Sequence, residues 1–246
     1  MTTKLLPLIF VLSILLLTLG TSCEDNLGEG QRSTVKTSHD YDKTSSPGAN
    51  ASSDNAANNT LPNIDIRDIW QRPELVLNSL GDLEGKVVAD IGAGPYGYFS
   101  LRIARDTKAK KVIAIDIDQD ALGFIDNARR ALLPENAQNR LETRLVSPSD
   151  PQLKNNEADI VLIVNTVVHI EDRIQYLKNL KTGLAPGGRL VIIDYKKKSN
   201  PMGLPIDMFI ALGEVEADLR AAGYQLETSD DTTLEFQYII TATAAG

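Results

Sequence analysis

Two carboxylates and three glycines mark the part of this 246-residue chain best equipped for chemistry. The run Val87-Val88-Ala89-Asp90-Ile91-Gly92-Ala93-Gly94-Pro95-Tyr96-Gly97-Tyr98-Phe99 reads as an apolar strand that ends on an acid, turns through glycines and enters a helix. Gly92, Gly94 and Gly97 fit the G-x-G-x-x-G spacing, in which glycine lets backbone approach a ligand and the following helix N-terminus attracts negative charge. Asp90 narrows the choice of ligand. A carboxylate at the strand tip opposes a diphosphate but suits a molecule that carries an ammonium group. Asp116 lies 22 residues beyond Gly94, where a second apolar strand ends. From its residue type alone, Asp116-Ile117-Asp118 could equally cap the next helix.

Strand and helix signals alternate around these residues from about 64 to 246. Trp70-Gln71-Arg72-Pro73 leads into an apolar stripe through Leu75, Val76 and Leu80, with Pro73 suited to a first helical position. The first strand closes at Asp90 or Ile91, and a helix through Leu101 and Ala104 follows. Lys111 to Asp116 is a second strand, Ala121 to Leu133 a helix stopped by Pro134, and the alternation at Leu141, Thr143 and Leu145 a third strand. Ala158 to Val164 is almost wholly apolar, as expected mid-sheet. A helix over 172–184, the turn Ala185-Pro186-Gly187-Gly188 and a strand from Leu190 to Asp194 come next. A helix near Phe209 to Ala222, Gly223 as its stop, and strands at Tyr224 to Thr228 and Leu234 to Thr241 complete the chain. This alternation predicts an α/β fold, Rossmann-like and doubly wound, with a seven-stranded mostly parallel sheet. The last two strands should pair as a hairpin, giving an antiparallel edge strand.

The motifs together resemble those of class I S-adenosylmethionine-dependent methyltransferases over nearly all of residues 64–246. The resemblance rests on Asp90-Ile91-Gly92-Ala93-Gly94, on Asp116, on the apolar fourth strand leading to Asn165, and on Leu184-Ala185-Pro186-Gly187-Gly188-Arg189-Leu190 with Asp194. It implies S-adenosylmethionine as cofactor, with Gly92 and Gly94 admitting its methionine part and Asp90 orienting the amino group directly or through water. Asp116 would accept both ribose hydroxyls, Ile117 would cover an adenine face, and Asn165 would complete the cofactor site. Two departures stand out. The glycine loop is one residue longer than the common family form, so either Tyr96 or Tyr98 could face the ligand. Ser147 and Ser149 stand where the family often has an acid, with Asp150 the nearest carboxylate.

Methyl transfer from a sulfonium is an in-line displacement with a very good leaving group already in place, so alignment and desolvation are the protein's main contributions. His169, a few residues past the fourth strand, is the best general-base candidate, with a helix-capping or surface role as its plain alternative. Tyr195 is a weaker candidate. Met202-Gly203-Leu204-Pro205 is placed to form a substrate lid. Two other functions compete: a tethered binding module that keeps the fold without catalysis, and a nicotinamide-dependent oxidoreductase. Pro95, which removes a loop donor, and Asp90 both argue against the latter.

Composition limits the partners. A formal charge of -8 and a pI near 4.9 argue against nucleic acid, and Lys196-Lys197-Lys198 is the only basic run. Cys23 is the sole cysteine, which excludes an intramolecular disulfide and a cysteine-based metal cluster. Lys4, the apolar run Leu5 to Leu19, and Gly20-Thr21-Ser22-Cys23 follow the order of an export signal. About 15 apolar residues rise about 22 Å as a helix, short of the roughly 30 Å hydrocarbon core. The segment resembles a bacterial lipoprotein signal with Cys23 as lipidation site, although Gly20 stands where that family prefers Leu. The reading is a signal over 1–23, a Ser, Thr, Asn and Asp-rich linker over 24–63, and a folded domain outside the cytoplasm, in the periplasm or at the cell surface. The expected partners are a membrane, through the lipidated N-terminus, and a small-molecule or lipid methyl acceptor.

Overall fold

The computed structural model describes residues 66–245, which fall within one compact unit. The signal, Cys23 and the linker lie outside the described residues. Two short helices, α1 (Ile66–Gln71) and α2 (Pro73–Ser79), lead into β1 (Val87–Ile91), α3 (Tyr98–Asp106), β2 (Lys111–Asp116) and α4 (Gln119–Leu132). Then come α5 (Glu135–Gln138), β3 (Leu141–Leu145), β4 (Ala158–Val164), α6 (Arg173–Gly183), β5 (Leu184–Tyr195), α7 (Leu212–Ala221), β6 (Tyr224–Asp230) and β7 (Gln237–Ala244).

The seven strands form one sheet in the order β3-β2-β1-β4-β5-β7-β6. Neighbours from β3 to β5 are parallel, whereas β7 runs antiparallel to both β5 and β6. The expected hairpin therefore closes the sheet, with its reversed member β7 one place in from the edge. Side-chain alternation splits the core into two layers. Val88, Val112, Leu162 and Ile193 pack under α2, α3 and α4, while Ile113, Val161, Ile163 and Ile192 pack under α6 and α7. Because β1 is followed by β2 on one side and bordered by β4 on the other, the chain reverses direction across the sheet here. That switch leaves a crevice at the carboxyl ends of β1 and β4.

Local chemistry sets the element ends. Pro73 opens α2, and Pro134 ends α4 but then begins α5, a turn of helix that the pattern did not signal. Asp118 accepts from the Asp120 and Ala121 amides as the cap of α4, so the capping role falls to Asp118 and not to Asp116. Strand β5 begins at Leu184, earlier than expected, and a register shift against β4 absorbs the Pro186-Gly187-Gly188 turn. Helix α7 starts at Leu212 because Phe209 is extended and stacks on Tyr195, with ring centroids 4.9 Å apart. The hairpin turn also lies later than expected. Asp230 organises it by accepting from the Thr232 and Thr233 amides.

Candidate functional site

The crevice is a cavity of about 720 Å³ at the carboxyl edge of the sheet. Asp90, Gly92, Gly94, Asp116, Ile117, Asn165 and His169 all line it. The chain thus brings together seven residues spread over 80 positions of sequence.

Asp90 sits on the central strand between β2 and β4, only 3% exposed. Burial raises its carboxyl from 3.8 to about 6, against the opposing pull of a 2.6 Å hydrogen bond donated by the Ser100 hydroxyl and of the Arg67 charge. Past Asp90 the backbone turns through positive φ at Gly92 (71°) and Gly94 (67°). Gly92 packs so closely on Thr166 that a Cβ there would collide with its side chain. Gly94 differs, since a Cβ there would meet nothing within 4 Å. Asp116 fastens this loop to β2. Its Oδ2 accepts from the Gly94 amide at 2.8 Å, and its Oδ1 accepts from the Ile117 and Asp118 amides at 2.8 and 3.0 Å. A carboxylate offers about four lone-pair sites. Three are used, which leaves one, on Oδ2, for a ligand hydroxyl.

Asn165 ends β4 in a left-handed conformation, φ 54°. Its side chain closes a ring of amides. Gln71 donates to Gln237 at 2.6 Å, Gln237 donates to Asn165 at 2.6 Å, and Asn165 donates to Gln71 at 3.4 Å. Gln71 and Gln237 are fully buried. The ring ties α1 to the tips of β4 and β7, and it commits the Asn165 amide to protein partners. Arg67 of the same helix also donates to Gln71 and lies over the Tyr98 ring, 3.9 Å from its centroid. Arg102 approaches the same ring at 3.7 Å. The Tyr98 hydroxyl bonds Asp68, which also pairs with Arg102 at 2.7 Å. Of the two loop tyrosines, Tyr98 therefore anchors α1, and Tyr96 is the exposed one at the cavity.

The far wall is mostly aromatic and apolar. Trp70 lies 5.6 Å from Tyr195, and Ile66, Ile170, Tyr176 and Met202 join them around the cavity. Burial pushes the Tyr195 hydroxyl up to about 12, so it stays protonated at neutral pH. His169 lies in a 3₁₀ turn, Val167–His169. The buried Asp194 carboxylate holds that turn by accepting from the Val167 amide at 3.1 Å. Past the end of β3, Val146 and Pro148 line the cavity, whereas Ser147, Ser149 and Asp150 do not. Asp150 accepts from the Gln152 amide instead.

Sequence reasoning passed over Arg67, Gln71, Thr166 and Gln237. No local pattern marks Gln71 or Gln237 as buried, since charged or polar residues share the helix face of the first and the strand face of the second. Nothing in sequence showed that they partner each other.

The residues fit S-adenosylmethionine. A buried acid faces the cavity where an ammonium group would sit, open space at Gly94 admits a close ligand, and Asp116 keeps an acceptor for a hydroxyl. Among the described residues no cluster of His, Cys, Asp and Glu could hold a metal ion. Comparison with known proteins agrees with this fit. The family described as Methyltransferase domain matches residues 89–190. The chain is 27% identical over 145 residues to the ubiquinone/menaquinone biosynthesis C-methyltransferase UbiE of Hahella chejuensis, covering 58% of this chain and 56% of that protein. It is 29% identical over 123 residues to the tRNA U34 carboxymethyltransferase of Desulfotalea psychrophila, covering 50% of this chain and 36% of that protein. The chain thus spans about half or less of the length of these curated relatives. Among solved structures, an S-adenosylmethionine-dependent methyltransferase from Aquifex aeolicus superposes with a TM-score of 0.64 at 22% identity, over 72% of this chain and 93% of that one. The [4+2]-cyclase SpnF gives 0.60 at 16%, over 72% and 82%. At these identities the structural likeness is one of fold. Residues 89–190 are thus similar to methyltransferase domains, the fold is that of S-adenosylmethionine-dependent methyltransferases, and the cavity residues fit that cofactor.

Proposed function

We propose that this protein methylates a poorly polar small-molecule or lipid acceptor, and that it does so outside the cytoplasm, tied to a membrane through a lipid on Cys23. The observation that carries the catalytic part is the meeting of two chemistries in one cavity. Buried Asp90, the Gly92-Gly94 turn and Asp116 line it, and so do the apolar Ile170 and the aromatic rings of Tyr176, Trp70 and Tyr195, the last two 5.6 Å apart.

In this reading Asp90 holds the ammonium of the cofactor, Gly94 lets its methionine part lie against backbone, Asp116 takes a ribose hydroxyl through Oδ2, and Ile117 covers an adenine face. When bound, S-adenosylmethionine supplies an electrophilic methyl group on a sulfonium that departs as a neutral thioether. The chain's own task is alignment and exclusion of water by the aromatic wall. His169 is the one imidazole at the cavity and takes the acceptor's proton. Tyr195, held protonated, donates a hydrogen bond and does not act as base. Cys23 as the last residue of an export signal supports the anchored, exported part of the reading.

A thermal shift with S-adenosylmethionine and with S-adenosylhomocysteine tests the cofactor site. A ligand at 100 times its dissociation constant adds about 2.7 kcal/mol, several degrees for a domain of this size. Both should stabilise the protein. No shift with either refutes the site, and a shift without turnover on a broad acceptor panel favours a binding module. Mass analysis of wild type and Cys23→Ser tests the anchor. Lipidation predicts a heavier wild-type N-terminal fragment and loss of membrane retention in the variant.

A further inference from the structure

The mouth of the cavity is rimmed by large apolar side chains that point into water. Ile66 on α1 is 77% exposed, Tyr96 in the glycine loop 79%, and Met202 in the β5–α7 connection 56%, yet all three also line the cavity. Ile69 follows Ile66 by one turn on the same helix and is 68% exposed. Single exposed apolar residues are ordinary, but a set drawn from three separate segments around one opening is not.

We propose that this rim is a lipid-docking surface, through which the site takes an acceptor dissolved in a bilayer. The methyl-acceptor part and the membrane-held N-terminus rest on the reading above; the exposed apolar rim does not. Three observations favour a bilayer as the occupant. The exposed residues come from three separate segments, α1, the glycine loop and the β5–α7 connection, and not from one continuous element. It combines long aliphatic side chains with one exposed tyrosine, the mixture that inserts at the boundary between acyl chains and headgroups. The residues before the folded domain also carry the apolar run Leu5 to Leu19 and the chain's only cysteine, so an N-terminus held at a membrane would keep the domain at high local concentration near that surface.

Charge sharpens the expectation. The basic run beside β5 is engaged within the protein. Lys196 donates to the Leu234 carbonyl at 2.7 Å, Lys197 pairs with Glu214 at 3.6 Å, and Lys198 lies over the Phe236 ring. With a formal charge of -8 on the chain, docking should be apolar and indifferent to anionic lipid. Beyond the rim the aromatic wall accepts a molecule with little polarity of its own, and such a molecule partitions into bilayers.

Trp70 provides the readout, because it is the only tryptophan in the chain and it lines the cavity. The experiment mixes the full-length protein with phosphatidylcholine vesicles whose acyl chains are brominated, and with unbrominated vesicles as reference. Bromine quenches tryptophan only at short range, so the expected result is loss of most Trp70 emission on brominated vesicles, unchanged by high salt or by added phosphatidylglycerol. The variant Ile66→Ser/Ile69→Ser/Met202→Ser should lose this quenching and keep the thermal shift with S-adenosylhomocysteine, which shows that it folds. Vesicle-bound protein whose Trp70 is not quenched overturns docking, as does equal quenching in the variant. Quenching that requires phosphatidylglycerol and disappears in salt also overturns it, as does a dimer in sedimentation that the variant abolishes, because the rim would then cover a second copy. Failure of the S-adenosylhomocysteine shift in wild type refutes the cofactor site and leaves the docking result standing.

Discussion

Asp90→Asn should make the folded protein more stable and blind to its ligand. Burial raises the wild-type carboxyl from 3.8 to about 6, so ionising it in the folded state at neutral pH costs on the order of 3 kcal/mol relative to the unfolded chain. The sign follows from proton binding. Between pH 4 and 6 the native state holds this proton and the unfolded state has released it, so wild-type stability falls as pH rises through that window. Asparagine has nothing to ionise, and its amide oxygen can still accept from Ser100. The variant should match wild type near pH 4, gain steadily to pH 6, and melt roughly 6–12 °C higher at pH 7. The ligand response should move the other way. Losing a charge-assisted partner for the ammonium group costs about 1.5–3 kcal/mol, so affinity for S-adenosylhomocysteine should fall about ten- to a hundredfold. Melting curves from pH 4 to 8, with and without S-adenosylhomocysteine, read both effects. A variant that melts below wild type at pH 7, or that keeps the full ligand shift, refutes the argument. Only a carboxylate kept buried for a cationic ligand predicts opposite changes in stability and binding.

The two loop glycines should part company when substituted. Gly94→Ala meets only the left-handed backbone penalty of roughly 1–2 kcal/mol yet fills space the ligand needs, whereas Gly92→Ala also collides with Thr166 and should cost visibly more in a urea melt. Breaking the amide ring with Gln237→Leu leaves Gln71 and Asn165 short of a partner each. It should destabilise by about 2–5 kcal/mol, and hydrogen exchange should accelerate in α1 before the sheet. Away from the site, Arg144 bonds Glu157 at 2.7 Å and holds its carboxyl down at about 2 against an ordinary 4.5. A lowered carboxylate stabilises above its unfolded value, so wild type should lose on the order of 2 kcal/mol as pH falls from 4.5 towards 2, and Arg144→Met should be flat there in denaturant titrations.

What could be read from sequence divides along a physical line. Strands β1, β2 and β4 follow from apolar runs, because a strand buried on both faces leaves that mark regardless of its neighbours, whereas the edge strand β3 was read from its alternation. That Asp90, Gly92, Gly94 and Asp116 meet at one cavity follows from the same reason, since all four stand at or just past strand tips. The helix start at Leu212 was not legible. It depends on Phe209 stacking on a tyrosine from another strand, a contact that no local pattern encodes. Asn165 shows the limit most clearly. Its position after β4 was correctly placed at the cavity, but its side chain belongs to a ring with Gln71, 94 residues earlier, and Gln237, 72 residues later.

That same line runs close to the bounds of the family match. The family match covers residues 89–190 and so contains Asp90, both loop glycines, Asp116, Asn165 and His169. Ile66, Arg67, Trp70, Tyr195 and Met202 also line the cavity and fall outside that match, whereas Ile170 and Tyr176 fall inside. The cofactor end is built on a rigid sheet that any protein of this fold must form. The acceptor end is built on α1 and the β5–α7 connection, which the fold permits but does not require. Grafting residues 66–79 and 196–211 onto a related domain should therefore transfer acceptor choice and leave cofactor affinity in place. The amide ring sets a condition on that experiment. Without Gln237 on the recipient's sheet, α1 keeps its Asp68 and Arg67 contacts with Tyr98 and Arg102 but not the ring, and the graft should carry the rim without the wall.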